Sequence, residues 1–166
     1  MRPRTYPLAG RGGAVTMKIL FVCTGNSCRS PMAELYFNHL AAEHNSPWQA
    51  ESAGIYANDG GTISRAAKNV MNELGIDTSS FSSTAFTPKR AQKYDIMVGM
   101  TRTHAALMRH IVPEAAEKVR TLIANGDVPD PFGGSTEEYR EVFNFMKPFI
   151  DQLFIELNNP TQGGKQ

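Results

Sequence analysis

Ile19-Leu20-Phe21-Val22-Cys23-Thr24-Gly25-Asn26-Ser27-Cys28-Arg29-Ser30-Pro31 reads as strand, tight loop, helix. The apolar run Ile19 to Val22 is short, partly β-branched and stopped by a turn signal, the pattern of a strand buried on both faces of a parallel sheet. Cys23 then stands at a strand's carboxyl end. Ser30 is a favourable N-cap, Pro31 suits a first helical position that needs no N–H, and Glu34 falls in the first turns, where the helix dipole favours an acid. Between strand and helix lie a thiol, a glycine free to take positive φ, and an arginine.

Loop N–H groups that converge on one point, with a helix N-terminus behind them, form a concavity suited to a tetrahedral dianion. Arg29 adds a planar fork that clamps two oxygens at once. The same field stabilises a thiolate at Cys23, because helix N-termini and neighbouring cations favour the charged sulfur. The plainer reading makes Cys23 a buried strand-end thiol and Arg29 a solvated loop residue. The agreement of strand, glycine, N-cap serine and helix-opening proline favours a phosphate cradle with its own nucleophile.

The 166 residues amount to about one domain. A formal charge of +1, from 17 basic and 16 acidic side chains, supplies no polybasic stripe for nucleic acid. No apolar run approaches the roughly 18 residues of a membrane span, so no membrane partner is expected. Both cysteines lie in one loop, which excludes a disulfide scaffold and suits a free thiol in a reducing cytoplasm. Residues 1–16 are rich in Arg, Pro and Gly without an apolar signal-like core and read as a flexible extension. Met17 directly precedes the first strand and could itself be a start.

From there strands and helices alternate. A first helix runs from Pro31 to about His44, amphipathic through Met32, Leu35, Tyr36, His39 and Leu40. Trp48 to Ala53 is a weaker strand. Thr62 to Leu74 is a helix stopping at Gly75, with Ile63, Ala66, Ala67, Val70, Met71 and Leu74 inward. Ile76 to Thr87 is irregular. Pro88 opens a short helix to about Gln92, and Asp95 to Met100 is the third strand. Thr101 caps a helix to about His110, Val119 to Ile123 is a fourth strand, and Ser135 to about Leu157 is a long helix containing Pro148. Residues 17–157 thus form an α/β domain with helices on both faces of a parallel sheet, followed by a polar tail, 158–166. Ligands in such sheets bind beyond the strands' carboxyl ends, where Cys23 lies.

Val22 through Glu34, together with Glu51-Ser52-Ala53-Gly54 and Asp130-Pro131-Phe132-Gly133-Gly134, resembles the low-molecular-weight protein-tyrosine phosphatases. The resemblance covers roughly Met17 to Leu157 and implies a flavodoxin-like three-layer sandwich with a four-stranded sheet in the order 2-1-3-4. It also implies hydrolysis of phosphotyrosine in phosphorylated proteins through a cysteinyl-phosphate, with free phosphate as product. Cys23 is then the nucleophile, Arg29 the oxyanion clamp and Asp130 the general acid and base. Read from the residues alone, Asp130 between Pro129 and Pro131 is equally a turn aspartate or an acid on a stiff loop.

Thr24, Gly25, Asn26, Ser27, Cys28, Ser30 and Phe132 complete the expected substrate-binding set. By the resemblance, Ser30 donates to the Cys23 thiolate and Ser52 supports Asn26, which can itself adopt a left-handed conformation. Phe81 stands where many members carry a histidine, which removes one expected partner of Asn26. Cys28 is either a disulfide partner protecting Cys23 under oxidant or a small loop filler. The four histidines form no ligand cluster, and His39, His44 and His104 read as surface or core residues. No metal or cofactor is expected.

Tyrosine-specific members usually carry a bulky aliphatic residue at the place of Ser27. Small polar Ser27, with Phe132-Gly133-Gly134 beside the acid, resembles bacterial relatives that dephosphorylate arginine, so phosphoarginine is the alternative substrate. Related arsenate reductases need a cysteine downstream of Cys28, and none follows. A non-catalytic phosphoprotein-binding module would have shed the nucleophile or the acid, and both residues are here.

Overall fold

The computed structural model describes residues 16–159. The proposed extension before Met17 and the polar tail therefore fall, apart from Thr16, Asn158 and Asn159, outside the described residues. Strand β1 (Met17–Cys23) pairs in parallel with β2 (Trp48–Gly54) on one side and β3 (Ile96–Gly99) on the other. β4 (Val119–Thr121) adds to β3, giving four parallel strands in the order β2-β1-β3-β4. Ile19, Leu20, Phe21 and Val22 are all fully or almost fully buried. Successive side chains point to opposite faces, so Ile19 and Phe21 join one hydrophobic cluster, Leu20 and Val22 the other.

α1 (Arg29–Glu43), α2 (Arg65–Glu73) and α5 (Thr136–Asn158) pack on the larger cluster. The short α3 (Pro88–Ala91) and α4 (Arg102–Ile111) cover the other face. α5 opens with a capping box in which Ser135 and Glu138 exchange side-chain and backbone hydrogen bonds, and it continues through Pro148 to Asn158. A 3-10 turn at Pro113–Lys118, which has no signal in the periodicity, links α4 to β4.

Several local expectations need correction. α1 starts at Arg29 with Cys28 in the N-cap position and no side-chain cap, so Ser30 and Pro31 lie inside the first turn. Ser30 is not a cap because its hydroxyl is turned inward to Cys23. α1 is also not the amphipathic helix expected: Arg29 through Asn38 are all buried, enclosed between the sheet and α5. Leu74, expected inward, is 42% exposed because α2 ends at Glu73. Gly75 supplies the left-handed residue after it, at φ +77.

Backbone bonds bring the chemistry-bearing loops to one end of the sheet. The Met100 N–H donates to the Val22 carbonyl, and the Met100 carbonyl accepts from the Val128 N–H. Met100 thereby couples the strand that ends at Cys23 to the loop that carries Asp130. On the other side, Ile55 and Tyr56 donate to the carbonyls of Cys23 and Thr24.

Candidate active site

A cavity of about 270 Å³ opens at the carboxyl end of β1, lined by Cys23, Thr24, Gly25, Ser27, Cys28, Arg29, Asp130 and Phe132. The loop curls around Asn26, which takes φ +54, a left-handed conformation that asparagine tolerates. Gly25, expected to supply that conformation, does not adopt it. The glycine the loop does require is Gly54, at the end of β2. A Cβ there would stand 2.6 Å from the Thr24 carbonyl oxygen and 2.8 Å from the Asn26 nitrogen, so a side chain would push the loop away.

Asn26 is fully buried and organises the floor. Its Nδ2 donates to Ser30 Oγ and to Ser52 Oγ, both at 2.9 Å, and its Oδ1 accepts the Thr84 N–H at 2.8 Å. The Ser83 hydroxyl donates to its carbonyl oxygen at 2.8 Å. Ser52 in turn donates to Glu34 Oε1 at 2.6 Å, and Glu34 is 1% exposed. Glu34, read from sequence as a partner of the helix dipole, is thus a buried anchor of this network. Among the described contacts of Asn26, Phe81 takes no part, and the Oδ1 partner is the backbone N–H of Thr84.

This network fixes proton direction. Ser52 gives its proton to Glu34 and so accepts from Asn26. The second Asn26 N–H goes to Ser30, whose own proton is then free for Cys23 Sγ, 2.9 Å away. A hydroxyl donating to sulfur favours its anionic form.

Arg29 is 5% exposed, and its Nη1 donates to the Val128 carbonyl at 3.0 Å. Its Nη2 stands 3.6 Å from Asp130 Oδ2, while its Nε is buried with no hydrogen-bond partner. An arginine with one donor orphaned inside a site is held ready for an acceptor. Asp130 Oδ1 also accepts the Phe132 N–H at 3.1 Å, so Asp130 makes the expected turn bond and also lines the cavity. Gly133, at φ +81, lets the chain reverse before α5. Phe132 itself is 79% exposed beside the cavity.

Cys28 is buried, unoxidised, and packed 3.0 Å from the Tyr139 hydroxyl. Burial, and then the hydrogen bond to Cys28, push Tyr139 up to about 12. The Ser27 hydroxyl lies 3.5 Å from Cys28 Sγ, and the Ser27 carbonyl accepts the Ser64 N–H at the start of α2.

Sequence reasoning missed Glu34, Tyr139, the Val128 carbonyl and His104. The first three show their roles only once distant segments meet. His104 did carry a signal: it sits three residues after the capping Thr101, where a helix's first turn faces the strand ends. Among the described residues, no three His, Cys, Asp or Glu side chains converge as a metal site.

Comparison with known proteins agrees with this construction. A Bacillus subtilis protein-arginine-phosphatase is 34% identical over 146 residues, covering 85% of this chain and 97% of its own. A low molecular weight protein tyrosine phosphatase from T. tengcongensis superposes with a TM-score of 0.80 at 35% identity, covering 84% of this chain and 99% of that one. An arginine phosphatase from Geobacillus stearothermophilus gives a TM-score of 0.81 at 32% identity, covering 90% and 98%. The model of the low molecular weight phosphotyrosine protein phosphatase family matches residues 18–162, and the chain belongs to that family of hydrolases.

Proposed function

We propose that this chain removes phosphate from phosphorylated protein side chains, with Cys23 as nucleophile and Asp130 as acid and base. The observation that carries this reading is the 2.9 Å contact between Cys23 Sγ and a Ser30 hydroxyl whose proton has no other acceptor in the network, beside an Arg29 with an unpaired Nε. The Cys23 thiolate attacks phosphorus, the bond to the leaving side chain breaks, and Asp130 gives that side chain a proton. Arg29 and the loop amides of residues 24–28 hold the phosphoryl oxygens. In the second step the Asp130 carboxylate takes a proton from water as the water oxygen attacks phosphorus. The S–P bond breaks, and Ser30 receives the departing thiolate with its hydroxyl proton.

For the substrate side chain, two observations support phosphoarginine, the alternative that the sequence raised beside phosphotyrosine. Ser27 puts a small hydroxyl in the cavity wall, and Asp130 is 54% exposed at the mouth, so a donor-rich guanidinium meets acceptors on leaving. Proteins named as arginine phosphatases are also among the similar chains. Phosphotyrosine remains the second reading because Phe132 offers its ring a stacking partner. The reducing cytoplasm is the compartment that suits a free nucleophilic thiol, and no described helix is long and apolar enough to cross a membrane.

The test is phosphate release from matched phosphoarginine and phosphotyrosine peptides by wild type, Cys23→Ser and Ser27→Ile. Wild type is expected to favour phosphoarginine, and Ser27→Ile to shift the ratio toward phosphotyrosine. An unchanged ratio removes the argument from Ser27. Cys23→Ser should lose at least about a thousandfold in rate, and full activity in that variant overturns the covalent mechanism.

A further inference from the structure

His104 is a buried imidazole beside the cradle to which the reaction above gives no task. It is 5% exposed, in the first turn of α4. Its Nδ1 lies 2.9 Å from Thr101 Oγ1 and its Nε2 2.9 Å from Thr24 Oγ1, while its backbone N–H donates to Thr101 Oγ1 at 3.1 Å. Thr24 is the residue after the nucleophile and lines the cavity. Burial, reinforced by the charge of Arg29, pushes His104 down to about 4. The ring is therefore neutral near pH 7 and carries one N–H.

Where that proton sits follows from counting donors. With the proton on Nδ1, Thr101 Oγ1 would accept twice and its own hydroxyl proton would have no protein acceptor among the described residues. With the proton on Nε2, the Thr101 hydroxyl donates to Nδ1, and Nε2–H donates to Thr24 Oγ1. Every half-buried donor is then used. The one proton left over belongs to Thr24, whose residue is exposed at the rim.

We propose that His104 is a positioning residue: through Nε2–H it holds the Thr24 hydroxyl as a donor to a phosphoryl oxygen of the bound substrate. This rests on the phosphatase reading of the cavity. A proton aimed at the cavity mouth finds its strongest acceptor in an oxyanion, and charge-assisted bonds of this kind exceed neutral ones about twofold in strength. The family's cradle becomes larger by one side-chain donor, set from the opposite side of the sheet.

The test is a double-mutant cycle between Thr24→Val, which keeps shape and removes the hydroxyl, and His104→Asn, which keeps the reach to Thr101 but not to Thr24. The readouts are KM and kcat for an aryl phosphate and the inhibition constant of inorganic phosphate. Each single variant is expected to weaken phosphate binding about tenfold, with the double variant no weaker than Thr24→Val. His104→Gln, whose longer amide reaches the Nε2 position, should recover most of the loss. Additive losses overturn the proposal, as does an effect confined to the KM of the aryl phosphate with phosphate inhibition unchanged, which would place the Thr24 hydroxyl on the leaving group instead.

Should the His104 variants fail to fold, ring 15N shifts of His104 in the wild-type protein at neutral pH decide the tautomer. A proton on Nδ1 overturns the proposal. Wild type that fails to hydrolyse the aryl phosphate at all would instead remove the phosphatase reading itself.

Discussion

On one wall of the cavity, Cys23 and Ser30 are tied through Asn26 and Ser52 to a carboxylate, Glu34, that is 1% exposed. On the facing wall, Asp130 is 54% exposed and Phe132 79%, held by one Asx turn and a 3.6 Å ion pair with Arg29. The wall that carries Cys23 has its geometry determined several times over by buried hydrogen bonds. The wall that carries Asp130 is fixed at its root, by the Val128 backbone, and open at its tip. Under the proposed mechanism, the difference follows from what each wall must do. A thiolate needs fixed donors that do not relax, because electrostatic stabilisation works through preorganisation. A general acid must exchange its proton with water between steps and therefore has to stay wet.

This contrast predicts that damage to the open wall is catalytic and damage to the closed wall is also structural. Asp130→Asn should lower kcat about 100- to 10,000-fold while shifting the urea-unfolding free energy by less than about 0.5 kcal/mol. A large loss of stability in that variant would break the contrast. Asn26→Ala leaves Ser30, Ser52 and the Thr84 N–H without their partner and places alanine at a left-handed position, so unfolding should become easier by about 3 kcal/mol. If urea titration finds that variant as stable as wild type, the closed wall is less constrained than its hydrogen bonds imply.

The closed wall should also carry an acid sensitivity through His104, which backs Thr24. Burial first, then Arg29, hold it down to about 4, with Asp130 and Asp127 partly offsetting. The unfolded chain therefore binds this proton more readily than the native one between about pH 6.5 and 4, and native stability falls as pH drops through that window. The loss is on the order of 3 kcal/mol, and His104→Gln should flatten that part of a stability-versus-pH curve. The smallest effect belongs to the tip of the open wall. Phe132→Ala should raise KM for phosphopeptides a few-fold, about 1 kcal/mol or less, and leave the melting temperature unchanged.

The strand–loop–helix unit was legible because it is local. Four buried apolar residues ending at Cys23 could only be a strand under two layers, and the loop's residue types announced an anion site. The start of α1 was misplaced because Ser30 carries two competing signals, capping and hydrogen bonding to a neighbour in space, and the buried thiol won. Glu34 was misread for the same reason: a carboxylate in a first helical turn looks like a dipole partner until Ser52 arrives from β2. The Thr84 N–H that binds Asn26 is a backbone group, one that every residue but proline owns and no motif displays. The Cβ clash at Gly54 exists only where β2 and the loop touch.

By itself, the amino-acid sequence determined the alternation of strands and helices, the parallel four-stranded sheet, the family, and the positions of Cys23, Arg29 and Asp130 in the chain. These reside in periodicity and short motifs, whose physics acts within a few residues. Tertiary structure alone decided the direction of each proton in the Glu34–Ser52–Asn26–Ser30–Cys23 chain, the coupling of both walls through Met100, and the pairing of His104 with Thr24. Those depend on atoms brought together from segments up to 80 residues apart. A hydrogen bond's donor and acceptor are assigned only when every competing partner around it is known.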